Sequence, residues 1–176
     1  MTFQPTSGDD NLTGDNEPNR INGEDGNDRL SGRGGDDVID GGNGDDHLYG
    51  GQGNDRLTGR TGNDHLDGGQ GDDILRGSRG DDTLKGGGGV DHLYGGPGND
   101  SYVYNSGDTE VHIYLDGGVE DNLRCADGTE ISAPPRWRNN RTVRLLDMSD
   151  GGRVFVHYVE GQSTTLRLRR CGNYTL

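Results

Sequence analysis

A nine-residue pattern repeats without interruption from residue 5 to residue 103, and it restricts the folds open to this chain. In blocks of nine counted from Pro5, the fourth place is glycine in ten of eleven blocks, Glu17 being the exception. The eighth place is leucine, isoleucine or tyrosine in every block. The sixth place is acidic or amidic throughout, as Asp10, Asn19, Asp28, Asp37, Asp46, Asp55, Asp64, Asp73, Asp82, Asp91 and Asp100.

One apolar residue in nine cannot build an amphipathic helix, which needs three or four in two turns, and glycine disfavours helices further. The pattern instead predicts a short strand of three residues around each eighth place, followed by a tight turn of six. Two successive blocks then form one coil with a strand on each side. Stacked coils pair their strands in parallel, and the eighth-place side chains meet in a thin core.

Composition divides the chain after Val103. The first 103 residues hold 27 of the 35 glycines, with 21 acids against 8 bases, a charge of −13 within the total of −14. We predict a repeat domain over 5–103 and a β cap over 104–176. The sequence has no long apolar run for a membrane span, too few apolar residues (26%) for an ordinary α/β enzyme, and the wrong charge for nucleic acid.

The acidic turns require a cation. Roughly one leucine per nine residues does not offset the ordering of the backbone, at about 1–2 kcal/mol per residue, and stacking brings the sixth-place acids together. Carboxylates and carbonyl oxygens favour Ca²⁺ over Zn²⁺, and flexible loops favour it over Mg²⁺. Eleven blocks give nine stacked pairs (11 − 2), and Glu17 and Asn19 spoil one, so we expect about eight ions.

Blocks such as Gly41–Tyr49 and Gly50–Thr58 follow Gly-Gly-x-Gly-x-Asp-x-Leu-x. This pattern resembles the RTX nonapeptide repeat of haemolysin-type calcium-binding proteins. The resemblance implies an all-β, right-handed parallel β-roll with calcium between successive turns. It assigns the metal to the ten sixth-place aspartates, Asp10 and Asp28 to Asp100, and we add position 33, Arg33, which occupies the second place of its block.

In that family, one loop contributes the second- and fourth-place carbonyls and its aspartate, and the loop two blocks later contributes the first- and third-place carbonyls and its own aspartate. The implied ligand sets are Gly42, Gly44 and Asp46 with Gly59, Thr61 and Asp64; Gly51, Gly53 and Asp55 with Gly68, Gln70 and Asp73; and Gly69, Gly71 and Asp73 with Gly86, Gly88 and Asp91. Glu17, Pro18 and Asn19 depart from the pattern, which puts the site of that block in doubt.

Three histidines, His47, His65 and His92, share the seventh place. His47 and His65 are two blocks apart and should stack on one face, where a zinc or copper site is conceivable. Solvent-facing ladder residues are the preferred interpretation, because His92 falls on the opposite face.

The C-terminal region predicts a small antiparallel β cap, with strands at 111–115, 142–148, 153–159 and 165–169 and a hairpin turn at 149–152. Cys125 and Cys171 can form a disulfide in an oxidising compartment or remain free thiols. Trp137 stands among Arg136, Arg138 and Arg141. This cluster can grip a sugar or a carboxylate, although a Trp that anchors the cap is the preferred interpretation.

These observations predict a secreted, non-catalytic module that folds when it binds several Ca²⁺ ions after export. The N-terminus lacks the pattern of a cleaved signal peptide, and the resemblance implies the type I secretion machinery as a partner. Two alternatives stay open: a calcium-dependent module that binds extracellular polysaccharide, and the C-terminal part of a larger RTX enzyme. We expect no nucleic-acid partner, and no Ser/His/Asp, Cys/His or His-Glu-x-x-His arrangement predicts catalysis.

Overall fold

The structure, a computed structural model, describes residues 5–105, 107–115, 117, 120–125, 136–138, 143–149, 151–158 and 165–169. Every regular element in these ranges is a β-strand. No helix among them is long and apolar enough to cross a membrane. The strands are β1 Asn11–Thr13, β2 Arg20–Asp25, β3 Arg29–Gly34, β4 Val38–Asn43, β5 His47–Gln52, β6 Arg56–Thr61, β7 His65–Gln70, β8 Ile74–Arg79, β9 Thr83–Gly88, β10 Val90–Tyr94, β11 Ser101–Tyr104, β12 Glu110–Leu115, β13 Glu120–Cys125, β14 Arg136–Arg138, β15 Val143–Asp147, β16 Arg153–Tyr158 and β17 Thr165–Arg169.

The strands alternate between two sheets. Sheet A has the order β1-β3-β5-β7-β9-β11-β13-β17, and sheet B has the order β14-β15-β16-β12-β10-β8-β6-β4-β2. Within the repeat each strand pairs in parallel with the strand two elements later, at an offset of two blocks, as in Leu48↔Leu66 and Leu57↔Leu75. The predicted parallel β-roll, with two blocks to each coil, is confirmed.

The strands of the repeat are longer than the sequence predicted. Most have six residues, from the seventh place of one block to the third place of the next, as in β5 from His47 to Gln52. The second and third places also pair across coils, for example Gly51↔Gly69. The fourth-place glycines then take a positive φ, 126° at Gly44 and 121° at Gly53, a conformation that ends the strand and turns the chain.

The core is the predicted thin column. From Leu30 to Leu93 every eighth-place side chain has an exposed fraction of 0%, and Ile21 has 2%. At the far end Tyr102 and Tyr104 are fully buried and enlarge the column. The core continues into the C-terminal region through Val111, Ile113, Leu115, Leu123, Val154 and Val156.

The C-terminal region extends both sheets. Strands β12 and β16 continue sheet B in parallel, and β13 and β17 continue sheet A in parallel. Among the described strands, the antiparallel pairs are β14–β15 and β15–β16. The sequence predicts an antiparallel cap, but β12 and β13 pair in parallel with the last strands of the roll and β16 and β17 pair in parallel with them in turn, so the antiparallel part among the described strands is β14–β15–β16. Strand β11 spans residue 103, so the division into two domains there stays a prediction.

Candidate metal centre

The sixth-place aspartates form a ladder along each side of the roll. The backbone N–H of one aspartate donates to Oδ1 of the aspartate one coil later, for example from Asp28 to Asp46 at 2.8 Å and from Asp46 to Asp64 at 2.9 Å. The same bond joins Asp37 to Asp55 at 2.7 Å on the other side of the roll. One carboxylate oxygen of each aspartate therefore secures the spacing of the coils.

In eight of these carboxylates the second oxygen has no hydrogen-bond donor. Among the side chains that the structure describes, Oδ2 is buried and without a hydrogen-bond partner in eight aspartates: Asp28, Asp37, Asp46, Asp55, Asp64, Asp73, Asp82 and Asp91. All eight residues have exposed fractions of 0–2%. A buried carboxylate oxygen is costly unless a positive group or a hydrogen bond compensates it, so a row of eight points to bound cations.

Backbone carbonyls converge on these oxygens. A Cβ at the first-place Gly50 would overlap Oδ2 of Asp55 and lie 2.5 Å from the carbonyl oxygen of Gly68, one coil later. A Cβ at Gly42 would overlap the carbonyl of Glu24, and one at Gly44 that of Gly26. First-place carbonyls thus face back along the roll, while second- and fourth-place carbonyls face forward, so both sets point into the space between coils.

The third-place carbonyls already hold a hydrogen bond. Gly44 N–H donates to the carbonyl of Thr61, and Gly53 N–H to that of Gln70, each at 2.8 Å. A carbonyl oxygen has two lone pairs, so this bond leaves one for a cation. The backbone carbonyl oxygens and the aspartate carboxylates of the predicted ligand sets therefore lie at the same gaps between coils.

The donor set fits Ca²⁺. Each gap between coils offers carboxylate and carbonyl oxygens, the ligands that Ca²⁺ takes in sixes to eights. Within the described residues, no cluster of three or more His, Cys, Asp or Glu side chains could hold a metal, so the gaps depend on backbone oxygens. Zn²⁺ prefers nitrogen and sulfur ligands in a compact tetrahedron, which these gaps do not provide.

The second-place residue of the regular blocks has a positive φ, in the left-handed region of backbone conformation. Glycine takes it at Gly42 (φ 115°) and Gly51 (φ 119°), but Arg33 (φ 80°) and Arg60 (φ 84°) take it as well. This conformation is unfavourable for a residue with a Cβ. At Arg33 it directs the carbonyl at Gly51 in the next coil, which is the placement expected of a ligand carbonyl at this position.

Burial raises the pKa of the ladder carboxyls. Burial, together with a smaller effect of neighbouring carboxylates, raises the pKa of Asp46, Asp64, Asp73 and Asp82 to about 7 and that of Asp91 to about 8. The N–H bond to each carboxylate lowers the pKa, but less than burial raises it. The carboxylates therefore bind protons near neutral pH unless a cation replaces them.

The second block differs from the regular ones, at the residues where its sequence departs from the pattern. The side-chain carbonyl of Asn19 accepts the N–H of Asp15 at 2.8 Å, and its amide donates to Asp15 at 2.9 Å and to the carbonyl of Glu17 at 2.7 Å. Hydrogen bonds therefore occupy both polar atoms of the Asn19 side chain in this turn. Asp10, a predicted ligand, is also set apart, since its carboxylate is partly exposed and accepts the N–H of Thr6 at 2.6 Å.

A second ladder runs along the fifth place, and the sequence analysis missed it. Oδ1 of Asp45 accepts the N–H of Asn63 at 2.7 Å, and Oδ1 of Asn63 accepts the N–H of Asp81 at 2.9 Å. On this side of the roll acid and amide alternate strictly, as Asp9, Asn27, Asp45, Asn63, Asp81 and Asn99. Alternation keeps the acceptor at every step and separates the charges by two coils.

The aspartate ladder also extends beyond the repeat. Asp100 N–H donates to Oδ1 of Asp121 at 3.0 Å, and Asp121 has an exposed fraction of 1%. A Cβ at Gly117 would overlap the carbonyl of Gly96, as second-place glycines do within the array. Strand pairing is offset here by 21 residues, Ser101↔Asn122. The sequence carries a signal for this extension in the segment 116–124, which has Gly117, Asp121 and Leu123 in the second, sixth and eighth places. This block begins three residues later than the strict period of nine allows.

The remaining candidates lie outside this centre. His47 and His65 are neighbours on sheet A, with ring centroids 5.6 Å apart, and His92 is on sheet B. Cys125 is buried and disulfide-bonded, while Cys171 lies outside the described residues. The same holds for Arg141, and of Arg136, Trp137 and Arg138 the structure describes the strand alone, so the ligand role of this cluster stays a prediction.

Comparison with known proteins decides the family. The profile of the RTX calcium-binding nonapeptide repeat matches four segments, 5–39, 31–66, 40–75 and 67–102, which cover more than half of the chain. The chain belongs to the RTX calcium-binding repeat family. Its RTX repeats are calcium-binding repeats, and the predicted membership is confirmed.

A search of solved structures finds the extracellular lipase LipA from Serratia marcescens, with a TM-score of 0.39 and 17% sequence identity. The match covers 94% of this RTX chain and 39% of the lipase chain, so the chain spans well under half the length of that protein. No curated protein matches the chain.

Proposed function

We propose that this chain is a secreted, non-catalytic RTX module that folds when it binds several Ca²⁺ ions after export. The observation that carries the proposal is the row of eight buried Oδ2 atoms without a donor, from Asp28 to Asp91. Backbone carbonyls of successive coils converge on the same gaps. A cation in each gap supplies the positive charge that the described side chains do not.

The ligand sets follow the order of the coils. Between two coils the ion takes the second- and fourth-place carbonyls and the aspartate of one loop with the first- and third-place carbonyls and the aspartate of the next. Gly42, Gly44 and Asp46 with Gly59, Thr61 and Asp64 form one such set. Counting the regular gaps gives about eight ions, whose charge of about +16 balances the −13 of the repeat region.

Ion binding supplies the free energy of folding. Without ions the folded roll must either hold ionised carboxylates in a buried ladder or take up protons that the unfolded chain releases near neutral pH, and both requirements oppose folding. The thin core does not compensate, since each coil contributes only two eighth-place side chains. A ligand that binds the folded state alone stabilises it by mass action, so calcium concentration sets whether the chain is folded.

This dependence suits a protein that crosses a membrane unfolded. Calcium is scarce inside cells and abundant outside them, so weak sites stay empty before export and fill after it. The type I secretion machinery is the export partner that this proposal implies. A polysaccharide ligand would instead involve Trp137 and its neighbouring arginines.

The test is far-UV circular dichroism during a Ca²⁺ titration of the full chain, with Mg²⁺ as the control ion. We expect a cooperative transition from coil to β structure with Ca²⁺ and none with Mg²⁺ at equal concentration. A chain that is already folded in excess chelator would overturn the proposal. A transition of equal midpoint with both ions would overturn the assignment of Ca²⁺.

A matched pair of variants places the effect at the ladder. Asp46→Asn removes one buried charge and should raise the Ca²⁺ midpoint. Asp45→Asn removes the same charge one residue away, where the side chain is exposed and accepts a backbone N–H that an amide also accepts. Equal midpoints for the two variants would contradict a role for the sixth place.

A further inference from the structure

The outer face of sheet B carries six stacked rings near its C-terminal end. In one row His112 lies between His92 and Phe155, with ring centroids 4.8 Å away on each side. In the other row Tyr114 lies between Tyr94, at 4.2 Å, and His157, at 4.3 Å. These side chains are half-buried, because each ring covers the faces of its neighbours. They belong to strands β10, β12 and β16 and have no part in the calcium gaps.

A hydrogen bond between two histidines joins the rows. Nδ1 of His112 lies 2.9 Å from Nε2 of His157, and Nε2 of His112 lies 2.8 Å from Oε1 of Glu110. A bond between two ring nitrogens needs one proton, so one of the two nitrogens must be without hydrogen. One proton added to the pair leaves this bond intact, because one of the two facing nitrogens can still accept. When both rings are protonated, all four ring nitrogens carry hydrogen, and two N–H groups face each other across 2.9 Å.

The charged neighbours provide compensation for one positive ring. The carboxylate of Glu110 accepts from Arg153 at 2.7 Å and contacts His112, so it is already shared by two donors. His92 of β10 stacks on His112, while Tyr94 stacks on Tyr114 and has Arg76 of β8 over its ring. Beyond β16, strand β15 places Asp147 opposite Arg153 and Arg144 opposite Val156 in register.

We propose that the His112–His157 hydrogen bond is an acid-sensitive lock that holds β16 on β12. Above the pH at which a free histidine titrates, the pair shares one proton and the strands stay paired from Glu110↔Arg153 to Leu115↔Tyr158. At lower pH both histidines become imidazolium, no acceptor nitrogen is left for the bond, and two positive rings lie 5.2 Å apart. The strands then separate and expose Val111, Ile113, Val154 and Val156, which are 0–1% exposed when paired.

The direction of the pH effect agrees with this geometry. Burial, together with the charges of His112 and His92, lowers the pKa of His157 to about 4, against 6.5 for a free histidine. A histidine whose pKa is lowered on folding takes up its proton more readily when the strand is open. The folded pairing therefore loses stability as the pH falls below about 6.5 and continues to lose it down to about 4.

The experiment is amide hydrogen exchange of the full chain in saturating Ca²⁺ between pH 7 and pH 5, corrected for the intrinsic pH dependence of exchange. The two pKa values predict that protection of β16 falls by about 20-fold over this range. Protection of β4 and β6, which carry no histidine, should stay constant, and this internal control shows that the calcium gaps remain filled. Unchanged protection of β16 would overturn the proposal.

Two variants separate titration from packing. His157→Gln keeps a polar partner for His112 and cannot be protonated, and His157→Phe keeps the ring stack on Tyr114. Either variant, if it folds, should show flat protection of β16 from pH 7 to pH 5. His47→Gln on sheet A should retain the pH dependence of the unmodified chain. A folded His157→Gln protein that still loses protection would assign the effect to another group.

Nuclear magnetic resonance of the imidazole nitrogens in the unmodified chain reads the proton directly. We expect Nε2 of His157 and Nδ1 of His112 to share one proton at pH 7, and His157 to titrate well below pH 6. A His157 that titrates near pH 6.5 in the folded protein would refute the lock, whatever the variants show.

Discussion

Asp46 and Asp64 are joined by a bond that uses only half of the second carboxylate: the N–H of Asp46 donates to Oδ1 of Asp64 at 2.9 Å, while Oδ2 of Asp64 is buried without a donor. The same side chain thus has one oxygen that holds the backbone and one that faces the gap. The first function needs only an acceptor, which an amide also provides. Binding a cation in the gap needs the negative charge of the carboxylate. Substitution by asparagine can therefore separate the hydrogen bond from cation binding.

Asp64→Asn should retain the bond to Asp46 and lose calcium. Because Asp64 borders two gaps, we expect the number of bound ions to fall by about one to two. Asp64→Ala should lose the hydrogen bond as well and cost about 1 kcal/mol more in folding free energy. Equilibrium dialysis counts the ions, and calcium-loaded urea unfolding gives the free energies. Equal ion counts for Asp64→Asn and the unmodified chain would show that calcium binding does not need the carboxylate of Asp64.

Gly59→Ala should block one gap sterically. Its Cβ would overlap Oδ2 of Asp64 and lie 2.6 Å from Cγ of the same residue. We expect a loss of about 1–3 kcal/mol in the calcium-loaded protein, because a packed site gains a methyl group that it cannot accommodate. Gly8→Ala is the control, since a Cβ at Gly8 meets nothing within 4 Å. Thermal unfolding in saturating Ca²⁺ compares the two variants. Similar melting temperatures would show that the gap beside Gly59 has room for a methyl group.

Asn63→Asp should disturb the alternation of the fifth-place ladder. The new carboxylate keeps the acceptor for the N–H of Asp81 but adds a fourth negative charge to the row, between those of Asp45 and Asp81. Like charges stacked in the turns of successive coils should cost about 0.2–1 kcal/mol, the range for directly opposed side chains in sheets. The urea midpoint should fall at low salt and recover at high salt, because these exposed side chains are screened. The control Asp45→Asn should not lower the midpoint, and an effect independent of salt would exclude repulsion as its cause.

Protons should compete with calcium for the ladder. The pKa of Asp46, Asp64, Asp73 and Asp82 is raised to about 7 by burial, against 3.8 for a free aspartate. A raised carboxyl pKa contributes stability to the calcium-free fold below about pH 4, and that contribution is lost as the pH rises to about 7. In chelator, β structure measured by circular dichroism should therefore increase as the pH falls from 7.5 to 4.5.

The calcium midpoint should move in the opposite sense. Lowering the pH from 7.5 to 6 should raise the midpoint by about tenfold, since the ladder carboxyls must release protons to bind the ion. A midpoint that does not change with pH would mean that these carboxyls are ionised before calcium arrives.

Most of the roll could be predicted from the sequence, because one residue type recurs at one place. The phase of Leu48, Leu57 and Leu66 alone requires strands on alternating sides and a coil of two blocks. The family match confirms the repeat and its calcium. The length of the strands could not be predicted, because the pairing of Gly51 with Gly69 leaves no side-chain pattern in the sequence.

Features that depend on contacts between coils escaped the sequence analysis. Asp121 joins the ladder after a shift of three residues, which hides it from a strict period of nine. The pairing of His112 with His157 spans 45 residues, outside the repeat.

The sequence by itself determined the coil, the two faces and the acidic turns, since these follow from a period of nine and the chemistry of glycine, leucine and aspartate. Only the tertiary structure decided which oxygen of each aspartate holds the backbone and which is left for an ion. The physical reason is that the two oxygens are chemically identical within a residue. Only the coils before and after it distinguish them, one by offering an N–H and the other by offering carbonyl oxygens.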